Sequence, residues 1–145
     1  MKLSTNFTLE EMIATSSHLP NVPNEKEILK LNLLVQHVLQ PLRDKFGRVI
    51  HVNSGYRTPE VNKEVGGSVK PISQHCKGEA ADLNTDDNAT LFHIIRFYLD
   101  FDQLIWEGGT DTQPGWVHVS YKATGNRKQA LRSVVVKGRK RYKVI

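Results

Sequence analysis

Three short segments of this chain alternate between apolar and polar side chains: EAADLN (79–84), DQLIWE (102–107) and GWVHVSY (115–121). Because neighbouring side chains on a β-strand point to opposite faces, this pattern predicts three strands. Each strand carries one charged or metal-ligating residue among apolar neighbours, namely Asp82, Glu107 and His118. If the strands share one sheet and their faces coincide, these side chains meet on one surface, together with His75 just ahead of the first strand.

Helix signals lie mostly ahead of these strands. Thr8 and Asn24 each stand three residues before a glutamate, which is the spacing of a capping box, so each predicts a helix start. After Asn24, apolar residues recur at helical spacing. We expect Pro41 to kink this helix and Gly47 to end it.

The remaining patterns complete the predicted fold. They indicate a strand, a helix and a C-terminal hairpin, in RVIHVNS (48–54), NATLFHIIRFYL (88–99) and RSVVVKGRKRYKVI (132–145). With short connections and helices that mostly precede strands, the order favours an α+β fold with a mainly antiparallel sheet flanked by helices. A length of 145 residues suits a single domain spanning 1–145.

Several classes of protein are disfavoured by the composition. The chain has no run of about 18 apolar residues, so we expect no membrane span. The N-terminal stretch MKLSTNFTLEEM carries acidic residues and lacks an apolar core, so we expect no secretory signal. Cys76 is the only cysteine, which excludes an internal disulfide and suits synthesis in a reducing cytoplasm.

The net charge of +5 is concentrated at the C-terminal end. Residues 122–145 contain nine Lys or Arg and no Asp or Glu. Such a segment invites a polyanion, such as an anionic cell-wall polymer, a lipid headgroup or, less expectedly, nucleic acid. The alternative is a solvated, lysine-rich edge hairpin, because the basic residues alternate with valines as on a half-buried strand.

The residues that the strands bring together suit zinc. His75, Asp82 and His118 could fill three tetrahedral positions and leave the fourth open for water, as catalytic zinc sites require. Glu107 could then act as general base, and Arg57 could hold a carboxylate or a developing oxyanion. Each of these residues also has an ordinary explanation as a structural, capping, ion-pairing or solvated side chain, and the spacing alone leaves both interpretations open.

Three motifs in the same order resemble those of a known family: SGYR (54–57), SQHCKGEAAD (73–82) and WVHVS (116–120). They are similar to those of the zinc D-Ala-D-Ala carboxypeptidases and L-Ala-D-Glu endopeptidases, in particular the compact single-domain branch found in phages and bacteria. The resemblance implies a hedgehog/DD-peptidase-like α+β fold with one Zn²⁺ on a sheet face. It implies that His75, Asp82 and His118 are the metal ligands, Arg57 the substrate clamp and Ser73 a substrate contact.

The general base is where the chain departs from this family. Many relatives carry a glutamate three residues before the final histidine, where this chain has Gly115. Glu107, at the end of the preceding strand, is the expected replacement, and Asp111 in the following loop is the alternative. Cys76 is adjacent to a predicted ligand but is expected to point away from it as a small buried filler.

The expected function is therefore zinc-dependent hydrolysis of peptide bonds in peptidoglycan stem peptides. The protein would act as a monomer in cell-wall lysis, as a phage endolysin does, or in wall remodelling. Its site of action would then be the cell wall or periplasm. The alternative is a catalytically inactive zinc-containing module that binds cell-wall fragments.

Overall fold

A computed structural model describes residues 1–145, which form a six-stranded sheet and five α-helices. The helices are α1 (Leu9–Ile13), α2 (Glu25–Leu34), α3 (Gln40–Phe46), α4 (Pro59–Glu64) and α5 (Asn88–Tyr98). The strands are β1 (His51–Ser54), β2 (Ala80–Asn84), β3 (Gln103–Glu107), β4 (Trp116–Ser120), β5 (Gln129–Val136) and β6 (Arg139–Val144). None of the helices combines the length and apolar character that crossing a membrane requires.

Both predicted capping boxes are present. The Thr8 hydroxyl accepts a hydrogen bond from the Glu11 amide at the start of α1, and the Asn24 side chain accepts one from the Glu27 amide at the start of α2. In each case the glutamate side chain accepts a hydrogen bond from the backbone amide of the capping residue. Two amide donors that the first turn would leave unpaired are thereby satisfied at each helix start.

The irregularity expected at Pro41 takes the form of a π-helical turn. Residues Val35–Leu39 connect α2 to α3, and the Gln40 amide donates to the Val35 carbonyl five residues earlier. This wider turn falls immediately before Pro41, which has no amide hydrogen to donate. Gly47 ends α3 as predicted, with a left-handed φ of 76° that suits glycine.

The sheet has the strand order β1-β2-β4-β3-β5-β6. Every pair of neighbouring strands is antiparallel except β3 and β5, which run parallel. The predicted α+β fold with a mainly antiparallel sheet is therefore confirmed. The C-terminal hairpin is also present, and it turns at Lys137 and Gly138, both of which have positive φ.

The strand register separates an apolar face from a polar one. Asp82 lies opposite His118, which lies opposite Ile105, so these three side chains share one face. On the other face Leu83 lies opposite Val117, and both are fully buried in the hydrophobic core with residues of the helices. The alternation predicted for the three strands thus directs the ligating residues away from the core.

Candidate metal centre

Three side chains converge on the polar face of the sheet. His75 comes from a 3₁₀ turn (Gln74–Lys77), Asp82 from β2 and His118 from β4. One ligand atom from each lies within 4.8 Å of the other two, which is close enough for the three to bind a single ion. Cys76 is not part of the group; it is buried, and burial raises the pKa of its thiol.

The turn that carries His75 is held at both ends. The Ser73 hydroxyl accepts a hydrogen bond from the His75 amide at the start of the turn. Gly78 ends it with a φ of 74°, and a Cβ at this position would lie 2.6 Å from the Glu27 carbonyl oxygen. Glycine is therefore required there both for its backbone conformation and for the close approach of α2.

The hydrogen bond of His75 determines which nitrogen faces the group. Its Nδ1 lies 2.7 Å from the carbonyl oxygen of Gly55, which can only accept, so Nδ1 carries the proton. Its Nε2 is then unprotonated in the neutral ring and lies 3.3 Å from Asp82 Oδ2. Metal-ligating histidines in proteins are usually oriented by a bond of this kind from the other ring nitrogen.

The orientation of His118 depends on Gln74, a residue that the sequence analysis did not single out. The Gln74 amide nitrogen donates to Asp102 Oδ2 and to Gln103 Oε1, at 3.3 and 3.0 Å. Its oxygen therefore faces His118 Nε2, 2.8 Å away, which places the proton on that nitrogen. His118 Nδ1 is left as an acceptor and lies 3.0 Å from Asp82 Oδ1.

The protonation states of the group suit a divalent cation. Burial alone would raise the pKa of Asp82, but the charge and hydrogen bonds of His75 and His118 in their protonated forms outweigh it and hold that pKa well below its usual range, as a bound cation would. Burial lowers the pKa of His75 although Asp82 acts in the opposite direction. The lowered pKa favours the neutral imidazole. Two imidazole nitrogens and one ionised carboxylate form a donor set that zinc prefers.

Arg57 lies beside the group, just after β1. Its amide donates to the His75 carbonyl oxygen at 3.1 Å, so its backbone is tied to that of a predicted ligand. Its Nε is buried and has no hydrogen-bond partner within the protein. Burial lowers the pKa of the guanidinium, an effect that Asp82 opposes. Arg57 therefore presents an unsatisfied donor near the triad, as a residue that binds an external oxyanion would.

Glu107 shares the polar face but lies outside the triad. It pairs with Trp116, two residues before His118 on β4, and is only 6% exposed. Its Oε1 lies 2.9 Å from Lys140 Nζ, in a charge–charge contact whose angles fall outside hydrogen-bond geometry. Asp111, the alternative base, is 91% exposed and is paired with Arg132 at 2.7 Å. Only Glu107 therefore combines burial with a position next to the strand that carries His118.

A family model described as Peptidase M15 matches residues 5–120 of the chain. A search of curated protein sequences found no match to this chain. The matched range includes the whole triad, Arg57 and Glu107, whereas β5 and β6 lie beyond it.

Proposed function

The chain belongs to the M15 family of zinc-dependent metallopeptidases, and from that premise we propose that it hydrolyses peptide bonds in peptidoglycan stem peptides. The observation that carries the proposal is the triad itself. His75 and His118 each donate from one ring nitrogen to a protein oxygen and turn the other toward Asp82. A purely structural cluster would have no need to leave two imidazole acceptors facing one carboxylate.

The residues that would hold Zn²⁺ are His75, Asp82 and His118. When bound there, zinc supplies a Lewis acid that polarises a carbonyl and lowers the pKa of a water molecule. A single carboxylate among three ligands leaves the site with a net positive charge. Such a site suits substrates that carry free carboxylates, as the D-amino acids of stem peptides do.

Two further residues act on the substrate in this proposal. Arg57 binds a substrate carboxylate or the oxyanion that develops on the scissile carbonyl, using the Nε donor that has no partner in the protein. Glu107 accepts the proton of the attacking water and delivers it to the leaving amine. Ser73 contributes mainly by fixing the turn that carries His75, and its hydroxyl remains a candidate substrate contact.

A second candidate function is a zinc-containing module that binds cell-wall fragments without cleaving them. Two observations favour it: the usual position of the base is Gly115, and the carboxylate of Glu107 is occupied by Lys140. In either case the wall is the proposed site of action. The exposed charges of β6 would add attraction to an anionic wall polymer.

A Glu107→Gln variant separates the two candidates because it removes the base while keeping the side-chain shape. Purified peptidoglycan is incubated with zinc-loaded wild type and variant, and soluble products are identified by mass spectrometry. The peptidase proposal expects new stem-peptide fragments from wild type, and at least a hundredfold fewer from a variant that still binds zinc. Wall binding without fragments from either protein would support the binding module instead.

A further inference from the structure

The C-terminal hairpin contributes a charged side chain to the polar face of the sheet. β5 runs parallel to β3 and continues past its end, and β6 pairs with β5. Lys140 on β6 lies opposite Val135, and Tyr142 lies opposite Ser133. This register puts Lys140 on the same side as Glu107, although the hairpin lies beyond the range that matches the family.

Lys140 is fixed by three neighbours and still reaches solvent. Its ammonium lies 2.9 Å from Glu107 Oε1, and 5.5 and 5.4 Å from the ring centroids of Trp116 and Tyr142. Burial lowers its pKa, but the contact with Glu107 outweighs this and the pKa is raised, so the side chain stays charged at neutral pH. With 46% of the side chain exposed, the ammonium retains donors for an external acceptor.

A cavity opens next to this ammonium. Its volume is about 320 Å³, and Gly108, Gly109, Trp116, Ser133 and Lys140 are among the residues that line it. Since a water molecule occupies about 30 Å³ in the liquid, the cavity has room for a group the size of an amino-acid side chain. It offers the aromatic surface of Trp116 and the donors of Lys140, whereas the other cationic residue of its lining, Arg132, is paired with Asp111 at 2.7 Å. Such a surface suits an acidic group on a short aliphatic stem.

The cavity and Arg57 lie on opposite sides of the triad. The strand β1 is at one edge of the sheet, and Arg57 lies just after it; β6, which carries Lys140, is at the other edge. The triad strands β2 and β4 lie between them. A peptide that crosses the triad thus has one cationic side chain available on each side, which a substrate with two or more carboxylates would use.

We propose that the cavity beside Trp116 and Lys140 is a substrate subsite that binds a carboxylate of an acidic peptide. Lys140 supplies the charge-assisted hydrogen bond, and Trp116 packs against the adjoining methylene groups. The inference rests on the proposed function, since it assumes that the ligand is a peptide lying across the triad. It adds a specificity element from a segment that the family match does not include.

The test compares stem peptides that differ by a single group. Each free carboxylate of the parent peptide is replaced in turn by a carboxamide, and kcat/KM and the calorimetric Kd are measured for every peptide. We expect replacement of the carboxylate that meets Lys140 to weaken kcat/KM and binding by about tenfold, the cost of losing one charge-assisted hydrogen bond, whichever carboxylate Arg57 binds. The ratio of kcat/KM for the parent peptide to kcat/KM for this carboxamide peptide should fall to about one in Lys140→Met. It should stay at about ten in Lys140→Arg.

Comparing kcat/KM for two peptides on the same variant cancels any effect that the Lys140 substitution has on Glu107, because both peptides are cleaved by the same altered protein. Lys143→Met is the matched control: this exposed lysine lies on the same strand opposite Arg132, on the other face, and its substitution should leave the ratio at about ten. Circular dichroism and thermal unfolding verify that each variant is folded. Lys140→Gln replaces Lys140→Met if the latter does not fold.

Each outcome is decisive. Cleavage of all peptides at equal rates by wild type, or an unchanged ratio in Lys140→Met, would overturn the subsite while leaving the peptidase function intact. If the protein binds the stem peptides with a carboxylate preference that depends on Lys140 but does not cleave them, the result would support the subsite and overturn the peptidase function. Neither binding nor cleavage of any stem peptide would reject both.

Discussion

Gln74 offers the sharpest test of how the metal centre is built. Its side-chain oxygen accepts a hydrogen bond from His118 Nε2 at 2.8 Å, while its amide nitrogen donates to Gln103 and Asp102. We expect Gln74→Leu to remove this acceptor and to free the imidazole to change tautomer or rotate. The protein would remain folded, since the substituted side chain is only partly buried.

The expected magnitude follows from the position of the lost bond. Removing a hydrogen-bond partner of a metal ligand weakens metal binding by about 10- to 100-fold, or about 1.4 to 2.7 kcal/mol. Gln103→Leu should have a smaller effect, because Gln103 orients Gln74 without touching His118.

Zinc affinity is measured by competition with a chromogenic chelator at neutral pH, with thermal unfolding of the metal-free proteins as the control for folding. We expect Gln74→Leu to bind zinc most weakly, and Gln103→Leu to lie between Gln74→Leu and wild type. Equal zinc affinity in wild type and a folded Gln74→Leu would refute this expectation, because His118 would then need no partner to be oriented.

Three further predictions concern residues around the triad. Arg57→Met should lower kcat/KM by at least tenfold while leaving zinc affinity within about twofold, and equal loss of both would contradict a role on the substrate. Hydrogen bonds from Arg127 lower the pKa of buried Asp102. The contribution of this ionised carboxylate to stability is thus complete above the unfolded pKa of about 3.9, and it is lost as the pH falls from there through the lower folded pKa. Asp102→Asn should therefore reduce the free energy of unfolding at pH 7 more than at pH 3 in denaturant titrations, and equal losses would count against this ion pair. Gly78→Ala should destabilise the fold by about 1 to 3 kcal/mol, because its Cβ would meet the Glu27 carbonyl oxygen, and a neutral effect on thermal unfolding would show that α2 can move away.

Much of the candidate site could be predicted because it depends on a local rule. Strand alternation places Asp82 and His118 on one face wherever β2 and β4 pair in register, and the observed pairing puts them directly opposite each other. His75 lies seven residues before Asp82, so the turn between them keeps the two close. The motif resemblance then selected these residues from other polar side chains of equal spacing.

The partners of these residues could not be predicted, since they depend on contacts between distant segments. Gly55 and Gln74 bind the two imidazoles through a loop conformation that no periodicity encodes. The pairing of Lys140 with Glu107 requires β5 to run parallel to β3, whereas the sequence pattern indicated only a basic hairpin. That hairpin is indeed an exposed sheet edge, but one of its lysines reaches the polar face.

The central claim is that this triad supports zinc-dependent peptide hydrolysis. The most direct measurement is a titration of metal-free protein with Zn²⁺ while the release of new amino groups from purified peptidoglycan is followed. The account predicts no release without metal, a rise that saturates at about one zinc per chain, and no rise in His118→Ala. Release by metal-free protein, or the same titration curve for His118→Ala as for wild type, would contradict it.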